Sequence, residues 1–278
     1  MRNGWILAAA VLIAAAVAAC AFVLLDQEDR SEPGRIGIIG AMDDEVSALK
    51  DAMEIDRRET IAGMEFFVGK LGGQNVAVVQ SGMGKVNAGI CAQLLISEFG
   101  AKAVINTGVA GSLDSTLDIG DFVVSADAVQ HDYDVSPIGF AKGEIPYTGK
   151  YAFEADAELR AKAADAIRKS CPEVAVHEGR VCSGDQFISS DAQKNAVTSE
   201  FGGLCCEMEG AAIAQACYLN GTPFVIIRAI SDKADGSAHE DYGEFVKKAA
   251  ARSAAAVRYM LENEGLRPPG YSESQNIS

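Results

Sequence analysis

Carboxylates stand after short apolar runs at three places in the sequence: Glu45 follows the run 36–40, Glu207 and Glu209 follow Leu204-Cys205-Cys206, and Asp232 follows Val225-Ile226-Ile227-Arg228. Runs of this length and composition read as buried strands. A carboxyl at the end of a buried strand is partly withdrawn from water, which raises its pKa and lets it act as an acid near neutral pH. Helix capping would account for any one of them; three converging on one face would form an acid–base site. Glycine clusters fall at comparable places, in Gly40-Ala41-Met42, Ser81-Gly82-Met83-Gly84 and Asn106-Thr107-Gly108-Val109-Ala110-Gly111. In an open α/β sheet, glycine at the carboxyl ends of strands lets backbone approach a ligand.

Other chemistries find less support. The 39 acidic against 24 basic residues give a net charge of −15, so nothing is left over to neutralise a phosphate backbone, and nucleic acid is not an expected partner. Gly37-Ile38-Ile39-Gly40 does not extend to a dinucleotide fingerprint, and no phosphate-loop motif occurs. His131, His177 and His239 lie far apart, with no cysteine at ligand spacing, so no metal site is expected. The 7 cysteines, at positions 20, 91, 171, 182, 205, 206 and 217, include no CxxC pair and read as buried thiols. A Cys171–Cys182 disulfide stays open if the domain lies outside the cytoplasm.

The elements that would position these groups alternate in type. Strands are predicted at 36–40, 103–105, 122–124 and 223–227, and a hairpin at 64–68 and 76–79 around Gly72-Gly73. Helices are predicted at 43–53, 85–99, 157–169, 209–219 and 242–263. Helices between β-branched strands imply an α/β sheet covered on both faces.

Residues 1–34 read as a membrane anchor or signal segment plus linker, 35–265 as the globular domain, and 266–278 as a flexible tail. Residues 5–25 are 21 consecutive apolar residues, about the length that crosses a bilayer. Nine of them are alanine, and an uncleaved anchor, a cleaved signal peptide and a lipoprotein modified at Cys20 all stay open. Arg2 before the run and the acid-rich segment after it place the globular domain outside the cytoplasm.

The motifs then resemble a family. Gly37-Ile38-Ile39-Gly40-Ala41-Met42-Asp43-Asp44-Glu45, Ser81-Gly82-Met83-Gly84-Lys85, Asn106-Thr107-Gly108, Ser183-Gly184-Asp185-Gln186-Phe187-Ile188, Glu207-Met208-Glu209-Gly210 and Arg228-Ala229-Ile230-Ser231-Asp232 are similar to the ordered motifs of bacterial 5′-methylthioadenosine/S-adenosylhomocysteine nucleosidases. The resemblance implies a three-layer αβα nucleoside phosphorylase-like fold with a central mixed sheet, a homodimer, an adenine nucleoside substrate and no cofactor or metal. It implies that Asp232, next to Ser231 in its motif, protonates adenine N7, and that Glu45 activates water with Ser81 and Arg228 beside it. Met208 and Glu209 would bind the ribose, while Phe187 would stack on the base and the Ile188 backbone would bind its edge. Val109 departs from the serine of many relatives in what reads as a glycine turn.

Three rivals follow. A purine nucleoside phosphorylase would need cations where Glu45 sits. A hydrolase for another purine nucleoside, such as a futalosine-type substrate, would share most of the motifs. A membrane-bound nucleoside sensor would need neither a base nor an acid.

Overall fold

The chain divides into Met1–Gly34 and Arg35–Ser278, and the computed structural model describes residues 34–266. The apolar run 5–25, Cys20 and residues 267–278 lie outside the described residues. No helix among the described residues is long and apolar enough to cross a membrane.

Ten strands form one mixed sheet: β1 (Arg35–Gly40), β2 (Glu54–Ile61), β3 (Met64–Leu71), β4 (Gln74–Gln80), β5 (Ala101–Ser112), β6 (Phe122–Gln130), β7 (Phe153–Glu154), β8 (Val176–Ser183), β9 (Cys205–Glu207) and β10 (Phe224–Asp232). Among the described residues six α-helices cover it: α1 (Asp43–Ala52), α2 (Lys85–Ser97), α3 (Ala157–Ser170), α4 (Asp191–Phe201), α5 (Gly210–Asn220) and α6 (Ala238–Asn263). One core layer joins Val46 and Leu49 of α1, Ala163 and Ile167 of α3 and Val257 and Met260 of α6 to the sheet. A second joins Ala88 and Leu95 of α2 and Ile213 and Cys217 of α5 to the other face. This is the three-layer αβα arrangement. On α1, Glu45, Val46 and Leu49 are the buried residues, one turn of a helical stripe. Burying each of the two apolar side chains contributes about 1.5–3 kcal/mol, so the same stripe that anchors the helix carries Glu45 inward.

The sheet order is β10-β6-β8-β9-β5-β1-β4-β3-β2, and β10 also pairs with β5, closing β5, β9, β8, β6 and β10 into a ring. β1, β4, β5 and β10 run parallel to one another, as do β6, β8 and β9. The two sets meet at two antiparallel seams, β10 against the start of β6 and β9 against the last residues of β5, where Gly111 lies opposite Cys206 and Ser112 opposite Cys205. Strand ends from both sets therefore reach one place.

Several expectations change. The cluster at 106–111 is not a turn, because β5 runs straight through it to Ser112. Its glycines serve close packing: a Cβ on Gly108 would collide with the Arg228 guanidinium and the Glu45 carboxylate. Asp232 is the last residue of β10 rather than a residue beyond it. Helix α6 starts at Ala238, four residues earlier than its apolar pattern implies. Leu266, assigned by sequence to the tail, is buried in the core at 4% exposure. Cys171 and Cys182 are separate buried thiols in different clusters, so the bridge between them is not formed. The Gly72-Gly73 hairpin is present, with φ of 59° and 77° as a tight two-residue turn requires.

Candidate active site

Glu45 sits in the first turn of α1, and its carboxylate folds back onto that turn. Oε2 accepts the N–H groups of Ala41 at 2.6 Å and Met42 at 3.0 Å, and Oε1 accepts the Val109 N–H of β5 at 3.1 Å. The helix start is a favourable place for an anion. Burial nevertheless dominates and holds the Glu45 pKa above the ordinary glutamate value, with the Arg228 charge and the N–H donors pulling it partly back.

Arg228, fully buried in the middle of β10, stands behind this carboxylate. Its Nη2 donates to Asn106 Oδ1 at 2.6 Å and to Glu207 Oε2, and lies 3.6 Å from Glu209 Oε2. Burial opposes its charge, but the carboxylates of Glu207, Glu209 and Glu45 outweigh that and raise its pKa. Glu209 immediately precedes α5 without its side chain capping the helix, and its Oε1 accepts the Gly84 N–H at 2.8 Å. Burial, then the neighbouring Glu207 charge, lift its pKa above the usual glutamate range against the pull of Arg228.

Asp232 is 2% exposed and meets neutral donors: Oδ2 accepts the Ser231 hydroxyl at 2.9 Å and Oδ1 the Ala234 N–H at 2.9 Å. Burial raises its pKa beyond what those two bonds lower it. Ala234 has a φ of 52°, a conformation uncommon outside glycine, and this backbone aims its N–H at the carboxylate. Val109, at Glu45, and Gly111, paired with Asp232, are two positions apart on β5, about 7 Å along the strand.

Between these groups lies an open cleft, lined by Ala41, Met42, Glu45, Phe187, Glu209 and Asp232 among others. Phe187, 44% exposed, leans edge-on against Tyr242 with ring centroids 5.5 Å apart, and the Tyr242 hydroxyl reaches Met42 Sδ at 3.1 Å. The loop carrying Phe187 is tied down by Asp132, which accepts the Asp185 N–H at 2.8 Å and Lys85 Nζ at 2.5 Å.

The phosphorylase superfamily profile matches residues 35–262. A 5′-methylthioadenosine/S-adenosylhomocysteine nucleosidase of Shewanella pealeana is 43% identical over 82% of this chain and 99% of its own. The Neisseria meningitidis nucleosidase of the same description, solved with methylthio-immucillin-A, matches with TM-score 0.79 at 38% identity, over 82% of this chain and 98% of that one. The Colwellia psychrerythraea nucleosidase, solved with adenine, matches with TM-score 0.79 at 37% identity, over 83% of this chain and 95% of that one. This chain belongs to the 5′-methylthioadenosine/S-adenosylhomocysteine nucleosidase family.

Of the residues assigned to the site by resemblance to that nucleosidase family, Glu45, Phe187, Ile188, Met208, Glu209, Ser231 and Asp232 line the cleft. Ser81 and Arg228 are not in its lining. The Ser81 hydroxyl donates to Gly82 O at 2.8 Å, and Arg228 supports the carboxylates from behind. Not legible in the sequence are the Val109 N–H, the Gly84 N–H, Tyr242 and the place of Glu207 in the cleft lining. Backbone donors leave no trace in residue type. Tyr242 is separated from Met42 by 200 positions, and only its place at the start of an amphipathic helix marked it.

Proposed function

We propose that the chain hydrolyses the N-glycosidic bond of 5′-methylthioadenosine and S-adenosylhomocysteine, releasing adenine and the thioribose product. The observation that carries this reading is one cleft lined by two buried carboxyls of raised proton affinity, Glu45 and Asp232, with Glu209 and Phe187 beside them. Asp232 gives its proton to adenine N7, so the base leaves neutral rather than as an anion. The C1′–N9 bond breaks with its electron pair going to the base, and the ribose gains oxocarbenium character. Water adds its oxygen to C1′ and yields a proton to Glu45. Glu209 accepts the ribose hydroxyls with Met208 packed against the sugar, and the negative charge of the site stabilises the sugar cation. Phe187 stacks on the base, the Ile188 backbone binds its edge, Ser231 steadies Asp232, and Ser81 and Arg228 set the position of Glu45 and its water.

A phosphorylase is disfavoured because phosphate entering the cleft would meet Glu45, while the Arg228 guanidinium is engaged by Glu207 and Asn106. The test is chromatography of full-length protein incubated with 5′-methylthioadenosine, with and without phosphate. Adenine and free thioribose in phosphate-free buffer support hydrolysis. Product only with phosphate would make it a phosphorylase, and no product at all would leave a binding protein.

The chain is proposed to act as a homodimer, since Val86 and Ile90 expose apolar side chains one turn apart on α2, next to Met83 of the cleft. A monomeric mass in sedimentation would remove that part. Residues 5–25 are proposed to hold the domain on the outer side of a membrane; protection of the domain from protease added to intact cells would place it inside instead.

A further inference from the structure

Glu207 has no task in the proposed reaction, yet its carboxylate gathers more donors than Glu45 or Glu209. Oε1 accepts the Ser183 hydroxyl and the Gly210 N–H at 3.0 Å. Oε2 accepts the Glu209 N–H at 3.0 Å, the Gly210 N–H at 2.8 Å and Nη2 of Arg228. Ser183 is itself held by the Ala211 N–H at 2.7 Å. One carboxylate thus ties the ends of β8 and β9, the start of α5 and the buried guanidinium together.

We infer that Glu207 is a positioning residue: it engages the Arg228 guanidinium and so leaves Glu209 free to receive the ribose hydroxyls. The inference rests on the hydrolase reading, since it concerns how the ribose-binding carboxylate of that site is held. Arg228 Nη2 bonds Glu207 and Asn106 but stands 3.6 Å from Glu209 Oε2, while Glu209 Oε1 is held by the Gly84 N–H at 2.8 Å. A buried guanidinium seeks the nearest anion. Without the Glu207 charge that anion is Glu209, and the contact would draw it off Gly84 and away from the cleft.

The charged and titratable groups around Glu209 are Glu207 from β9, Arg228 from β10, Glu45 from α1 and Tyr242 from α6, while His131 faces Glu207 from the end of β6. The Glu207 charge raises the proton affinity of Glu209 and Arg228 lowers it. Removing the first and bringing the second closer act in the same direction.

The experiment is the pH profile of kcat/KM for 5′-methylthioadenosine in the full chain and in Glu207→Gln. KM rises and kcat/KM falls about 100-fold, the cost of displacing a binding group by about 1 Å. At the same time the acid limb of the profile moves to lower pH. Glu207→Asp keeps a charge at the start of α5 but falls one methylene short of Arg228; it shifts KM and the acid limb the same way by less, and serves if the glutamine variant does not fold. Loss of activity in both variants that fold, with the acid limb unmoved, would overturn the inference, because a merely structural role lowers activity without moving a titration. Absence of adenine release from the unaltered chain would instead sink the hydrolase reading, so the two failures are distinguishable.

Discussion

The two ends of the cleft hold carboxyls of raised proton affinity by different means. At the end proposed to hold the ribose, Glu45 and Glu209 share with Glu207 one guanidinium, and two helix starts supply N–H groups. At the base end Asp232 is met by a hydroxyl and one N–H, both neutral. The first is a network in which each charge sets its neighbours' positions; the second has no cation, and burial first, then the charges of Asp241 and Asp235, raise its pKa. Changes at the ribose end should therefore couple, and changes at the base end should add to them independently.

The largest effect is expected for Glu45→Gln. Loss of the base lowers kcat by about 10³- to 10⁴-fold, while calorimetry should find substrate affinity little changed; full turnover would remove Glu45 as the base. Asp232→Asn comes next, with kcat on adenine nucleosides falling about 10²- to 10³-fold. The same variant should lose little on a thioriboside bearing an activated aryl leaving group, which departs without a proton. Equal loss on both substrates would show that the base end is coupled to the sugar after all.

The pH profile sharpens the comparison further. The proposed mechanism needs Glu45 ionised and Asp232 protonated, and both pKa values lie above their ordinary ranges. kcat should fall on the acid side as Glu45 takes up a proton, at a pH above the range of free glutamate, and on the alkaline side as Asp232 loses one, while the acid limb of kcat/KM also carries the protonation of Glu209. Each limb approaches tenfold per pH unit, and Asp232→Asn should erase the alkaline limb alone.

The smallest effect concerns stability. Glu209 has a folded pKa above its unfolded value, so the folded state binds the extra proton in the window between the two. Stability from this group is full below the unfolded value and is lost as pH rises through the folded one. Glu209→Gln should therefore raise Tm at pH 8, by about 2–4 °C for each kcal/mol gained, and the difference should vanish near pH 4. A lower Tm at pH 8 would mean that Arg228 depends on Glu209 as much as on Glu207.

What could be read from sequence was what announces itself locally. Glu45, Glu209 and Asp232 stand beside apolar runs, and α1, α3 and the hairpin around Gly72-Gly73 follow their patterns. Strand β2 was not foreseen because Glu-Ile-Asp-Arg-Arg-Glu-Thr-Ile buries little of itself and is held by pairing to β3. Strand β8 was missed for a similar reason, with charged residues on a half-buried run. The glycines of β5 read as a turn in the sequence, because close packing against Arg228 and Glu45 is a property of three segments, legible only once they are assembled. Glu207 was visible as an acid, but its neighbours come from β8, β10 and α5.

Ring closure also bears on how the molecule behaves in a crowded solution. A strand at the margin of a sheet is a template on which another chain can add and begin to aggregate. Bending β10 onto both β5 and β6 removes that margin on the side of the cleft and leaves β2 as the far end of the strand order. That strand carries Glu54, Asp56, Arg57, Arg58 and Glu59 along eight residues, a run of mixed charge poorly suited to pairing with a copy of itself. The side of the sheet that performs chemistry is protected by geometry, and the side that does not is protected by charge.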